Sequence, residues 1–116
     1  MARTGAGRLR QEYHFEKREV IENDGAGNEL SDWVRQFTQR ARRRFLRGGE
    51  GVQAARLEGR QPMIIKVRKN PRTATVTTAW RLIDTKSDVS YNIRAISEAE
   101  NPQYFDVLAE SGSANG

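Results

Sequence analysis

Val89, Tyr91, Ile93 and Ala95 alternate with Ser90, Asn92 and Arg94. On an extended backbone side chains two apart share a face, so this period of two commits the segment to a strand with one buried side. A strand of that kind needs neighbours, because two strands alone are marginal in water. The rest of the chain offers them.

Gln11 to Ile21 reads as a strand around Tyr13 and Phe15. It runs into Asn23-Asp24-Gly25-Ala26-Gly27-Asn28, residues that accept positive φ and suit a hairpin turn. Met63 to Val67 is a compact apolar strand before the Asn70-Pro71 turn. Thr73 to Ile83 is Thr-rich, with Val76, Trp80 and Leu82 on one face, and reads as a further strand closed by the turn Asp84 to Asp88. Gln103 to Ala109 follows Asn101-Pro102 as a last strand. Val76 and Trp80 are expected to join Val89, Tyr91, Ile93 and Ala95 in the core.

Leu30 to Leu46 is ambiguous. Leu30, Trp33, Val34, Phe37, Ala41 and Phe45 fit helical spacing, which the periodicity slightly favours, while Trp33, Phe37, Ala41 and Phe45 also share one face of a strand. Gly48-Gly49 breaks whatever precedes it, and Glu50 to Leu57 then predicts a helix of about two turns, ended by Gly59. With several short strands and one helix, the expected class is mainly β, a small β-barrel or sandwich with one inserted short α-helix. At 116 residues and 13.2 kDa one modest core is expected. The expected organisation is an N-terminal arm over 1–10, a single domain over 11–110 with its helix near 50–58, and a flexible tail over 111–116.

The chemistry is bounded mostly by what is missing. There is no cysteine, and His14 is the one histidine, so neither a disulfide framework nor a multi-histidine or thiolate metal site can form within the chain. No nucleophile, Walker or dinucleotide fingerprint is present, and the acidic pair Glu98 and Glu100 has nothing converging on it. A non-enzymatic protein without a cofactor is expected. No apolar run reaches the ~18 residues a bilayer span requires and no leader-like apolar region opens the chain, so no membrane partner and a cytoplasmic origin are expected.

Charge is more informative. The net charge is +5, yet residues 95 to 116 hold four acids and no Lys or Arg, which leaves +9 on the remainder. Arg35, Arg40, Arg42, Arg43, Arg44 and Arg47 form a cluster uninterrupted by any acid. On a strand Arg42 and Arg44 would share one face and Arg43 the other. Three readings compete: contacts between subunits with acids such as Glu98 and Glu100, contact with DNA phosphates, and a solvated face. Gly48, Gly49, Glu50, Gly51 and Gly59 mark a loop-helix unit expected to be mobile in the isolated subunit.

The order of these pieces resembles one family. Gly7-Arg8-Leu9-Arg10 at the start, a glycine-containing hairpin, the Trp33 segment running to Gly48-Gly49-Glu50, the helix, Ile64 to Arg68, and Tyr91-Asn92-Ile93-Arg94-Ala95-Ile96 together resemble the head-tail joining proteins of siphophages and gene-transfer particles, also called head-closure, stopper or connector proteins. The resemblance implies that Leu30 to Leu46 is largely extended and that the fold is a β-barrel with the helix between strands. It further implies a homo-oligomeric ring of six or twelve copies at the head-tail interface of the virion, assembled in the bacterial host cytoplasm. The implied partners are a portal or adaptor ring, a tail terminator or tail tube, and the packaged DNA, touched without sequence preference. The competing reading is a small nucleic-acid-binding module in which the arginine cluster meets phosphates and Trp33, Phe37 and Tyr91 stack on bases.

Overall fold

The computed structural model describes residues 10–23 and 25–112. Six strands, β1 (Gln11–Asn23), β2 (Glu29–Phe45), β3 (Gln61–Arg68), β4 (Arg81–Asp84), β5 (Ser90–Glu98) and β6 (Tyr104–Ser111), close into an antiparallel barrel in the order β1-β2-β3-β6-β5-β4. One helix, α1 (Glu50–Leu57), joins β2 to β3. Closure pairs β4 back onto β1 from Tyr13–Asp84 to Glu16–Arg81, so the barrel body has no open edge.

The barrel is filled by alternate residues from every strand. Tyr13, Phe15, Met63, Ile65, Leu82 and Ala109 are wholly buried, and Phe37, Ala41, Val67, Trp80, Tyr91, Ile93 and Val107 complete the cluster. Phe15 stacks on Phe37 at 4.6 Å between ring centroids, and Tyr13 meets Tyr91 edge-on at 6.3 Å.

Leu30 to Leu46 is extended, as the family resemblance implied and against its helical spacing: β2 is one strand of 17 residues. Its aromatic residues fill a face of the barrel, where packing overrides a weak local propensity. Two other expectations are corrected. Thr73 to Ile83 is not a strand; Thr73–Thr75 is a turn of 3₁₀ helix and only Arg81–Asp84 joins the sheet. Asn70 Oδ1 accepts from the backbone N–H groups of Arg72 and Thr73, both at 2.9 Å, and Thr73 Oγ1 donates to the Arg68 carbonyl at 3.0 Å. These local bonds give the backbone an alternative to a ladder. Trp80 and Leu82 are still buried, and Val76 packs against the core.

The second correction concerns the cleanest alternation in the sequence. Tyr91 and Ile93 are buried, but Val89 precedes β5 and is 40% exposed, and Ala95 is exposed as well. A bulge lies between Ile93, which pairs with Ala109, and Ala95, which pairs with Leu108. Arg94 is the extra residue, and it reverses the faces of the residues after it, so that Ile96 and not Ala95 packs on the core.

β1 and β2 outrun the barrel. β1 meets β4 only over Tyr13–Glu16 and β2 meets β3 only over Arg42–Phe45, so among the described residues Lys17–Asn23 pairs only with the Glu29–Val34 end of β2. The result is a two-stranded arm, and the molecule measures 60 × 36 × 25 Å. At the far end β6 runs through Ser111, which pairs with Gln61. Of the expected terminal segments, residues 1–9 and 113–116 lie outside the described residues.

Candidate functional site

The arginine-rich end of β2 divides by strand parity. Ala41 is buried and Arg43 points partly inward, whereas Arg40, Arg42 and Arg44 are exposed. Arg43 Nη1 donates to Asp84 Oδ2 at 3.0 Å and to the Tyr13 hydroxyl at 3.4 Å, and its guanidinium lies 4.7 Å from the Phe45 ring centroid. Asp84 is buried and also accepts from the backbone N–H groups of Lys86 and Ser87. Arg43 therefore braces one mouth of the barrel. Burial dominates the Tyr13 phenol and pushes its pKa up to about 12, although Arg43 opposes this.

Arg42 and Arg44 face the other way. With Arg43, Ile64, Lys66 and Asp106 they line a cleft of about 420 Å³ between β2, β3 and β6. Arg42 stands opposite Lys66 and Arg44 opposite Ile64, while Asp106 stands opposite Lys66 on the next strand. The Asp106 Oδ1 atom is buried and accepts no hydrogen bond from the described residues. Among those residues Arg40, Arg42, Arg44 and Arg47 form no ion pair, and Arg35 reaches Glu16 at 3.9 Å. The cleft is thus cationic with one apolar wall, the chemistry that receives carboxylates or phosphates.

Glu98 and Glu100, expected to answer the arginines of a neighbouring subunit, lie apart from those arginines within one subunit. Glu98 pairs with Lys69, Glu100 is exposed, and neither lines the cleft; Asp106 is the C-terminal acid that does. Glu110 is held by Arg60 at 3.1 Å and Arg94 at 2.9 Å. Of the loop-helix residues, Gly48, Gly49, Glu50, Gly51 and Gly59 are all exposed, and α1 buries only Ala55. Gly49 caps α1 with φ of 90°, which a side chain would strain.

Sequence reasoning missed the root of the arm. Buried Glu16 accepts a hydrogen bond from Arg81 Nε at 2.9 Å, with Arg81 Nη2 at 2.9 Å from the same oxygen, and the Trp33 ring meets two guanidinium groups, that of Arg81 4.5 Å from its centroid and that of Arg18 4.9 Å away. Glu16 and Arg81 are 65 residues apart, so no local pattern could have joined them. Beyond these contacts Val20, Ile21 and Leu30 are 55%, 54% and 56% exposed. A signal for these was present: Val20 and Ile21 adjoin in a charged strand and break its alternation.

Residues 5–112 match the family of phage head completion proteins. The chain belongs to that family. Its role as a head completion protein is structural, within the phage head. No curated protein matches the sequence. Among solved structures, this head completion protein is similar to protein SF1141 from Shigella flexneri 2a, with a TM-score of 0.71 and 15% identity, covering 96% of this chain and 99% of that one. It is also similar to a chain of the native gene transfer agent virion, with a TM-score of 0.60 and 23% identity, covering 92% of this chain and 98% of that one. At these identities the likenesses show a shared fold along nearly the whole length.

Proposed function

We propose that this head completion protein forms a homo-oligomeric ring at the opening of the filled head, joins the portal or its adaptor to the tail terminator or tube, helps retain packaged DNA, and has no enzymatic activity. The match of residues 5–112 to head completion proteins carries the reading. The similar chain in a gene transfer agent virion supports a place in the particle, and exposed Arg40, Arg42 and Arg44, which form no ion pair among the described residues, suit a subunit that contacts other chains. The nucleic-acid module is the weaker reading: Phe37 and Tyr91 are only 9% and 5% exposed, so neither is a stacking platform, and the Trp33 ring already meets two guanidinium groups.

The test uses particles made without this chain. Heads that fill but lose DNA and fail to bind tails, with joining restored by the purified protein, are the expected outcome; normal infectious particles would overturn the proposal. Arg40, Arg42 and Arg44 are assigned to subunit contact, with packaged DNA as their alternative. Replacing all three with glutamine separates the cases, since lost rings support the interface and intact rings on leaking heads support the channel. The loop-helix unit from Gly48 to Gly59 becomes ordered on assembly: it anchors to the barrel through little besides Ala55, and Leu57 is left 89% exposed. Amide exchange over Glu50–Leu57 should slow by at least about tenfold in the particle; equal rates in the subunit and the particle would refute it.

A further inference from the structure

The arm is built unlike the rest of the surface. Residues 19–32 contain Glu19, Glu22, Asp24, Glu29 and Asp32 and no Lys or Arg, a local concentration of negative charge on a chain of net +5. Glu22 and Glu29 are exposed and form no ion pair among the described residues. Cross-strand pairing puts Leu30 beside Glu22 and Val20 beside Ser31. Leu30 and Ser31 are adjacent on β2 and so point to opposite faces, which places exposed apolar side chains on both sides of the ribbon. A two-stranded ribbon with both faces wet is marginal on its own, and apolar groups of this size gain by being covered. The latch of Glu16, Arg81, Trp33 and Arg18 fixes its direction at the root.

The cationic cleft at the other end of β2 is complementary to this tip. Its Arg42 and Arg44, without an ion pair among the described residues, match the carboxylates together with Lys66, and Ile64 offers an apolar wall to Leu30. Glu29 and Arg44 lie at opposite ends of one strand, up to about 50 Å apart at ~3.3 Å per residue, so a chain cannot insert its own tip in its own cleft. We infer that the acidic, apolar tip of the arm docks in the Arg42–Arg44–Lys66 cleft of a second copy of this chain. The contact is heterologous, tip to cleft, so each copy keeps one of each free and the pattern closes as a ring or continues as a filament. This inference deepens the ring proposed above and rests on it, but it names a different acidic partner for the arginines than Glu98 and Glu100.

Two measurements on the full chain test it. Glu22→Arg with Glu29→Arg, and separately Arg42→Glu with Arg44→Glu, should each raise the concentration needed for rings, read by native mass measurement, by roughly tenfold or more, because like charges then face each other. Combining all four changes in one chain should restore rings, which damage to folding would not do. Independently, Glu29→Cys with Arg44→Cys in the otherwise cysteine-free chain should be joined between copies by a short bis-maleimide, giving a ladder of multiples of one subunit. Rings that survive both reversals, or a cross-link that joins the tip to a portal or tail protein instead, would remove this contact and leave the ring reading standing. Wild-type chains that form no ring, alone or on heads, would remove both.

Discussion

Single residues separate here by partner and not by type. Arg43 sits among five other arginines in sequence, yet it belongs to the barrel: its guanidinium answers Asp84, and both are largely screened from water, at 24% and 11% side-chain exposure. Removing one charge of such a pair strands the other, so Asp84→Asn should destabilise the subunit by about 2 kcal/mol in chemical denaturation, and Arg43→Met on that background should recover part of the loss. Tyr13 gives a pH signature. Its folded pKa of about 12 lies above the usual 10.0, so between these values the native state holds a proton that the unfolded chain has released, and stability falls as pH rises through that window. Tyr13→Phe should flatten this alkaline loss in melting curves taken between pH 9 and 12; an unchanged slope would assign the loss to other groups. At this scale the sequence was legible for Tyr91 and Ile93 and misleading at both ends of the run: Val89 falls before β5, and one bulged residue, Arg94, inverts the pattern at Ala95. The step of three from Ile93 to Ile96 was the trace of that inversion.

Elements were legible where turn chemistry and apolar content agreed. The hairpin before β2, helix α1, and strands β3, β5 and β6 stand close to their expected places. Thr73 to Ile83 was misread because threonine content favours strands in general, whereas Thr73 spends its hydroxyl on the Arg68 carbonyl and the Asn70 N–H and starts a turn. The junction of α1 with the sheet depends on a close approach that no composition reveals. Gly112 has φ of 82°, and a Cβ there would overlap the Gly59 carbonyl oxygen. Gly112→Ala should therefore lower the melting temperature and loosen the Gly59–Gln61 segment, with a cost of about 1–3 kcal/mol for the strained backbone. Gly48→Ala, in open space and without positive φ, should be neutral within about 0.5 kcal/mol. Equal effects would show that the approach carries no strain.

For the whole molecule, the family resemblance was legible in the order of weak pieces, and it resolved β2 where periodicity could not. The arm was not legible, because where β1 and β2 leave the barrel is set by the short partners β3 and β4, far away in sequence. This scale also separates stability from assembly. Arg42 and Arg44 have no ion-pair partner among the described residues, so Arg42→Gln with Arg44→Gln should leave the melting temperature of the subunit within a degree or two, roughly the range of a surface change. Self-association should nonetheless weaken, and should weaken in the wild type as salt shortens the Debye length to about 3 Å at 1 M. A variant that melts much lower would mean that these side chains hold the fold after all.

The length of β2 has a mechanical meaning. One unbroken strand runs from the tip of the arm to the edge of the cationic cleft, held to β1 by twelve cross-strand pairs. Backbone hydrogen bonds in such a ladder lie across the strand axis. A pull along that axis loads the rungs together, in shear, whereas a sideways pull would open them one at a time. The subunit is therefore stiff along the line that joins its two charged ends and compliant across it, as a tie rod is, and tension entering at the arm leaves at the cleft without passing through the loops.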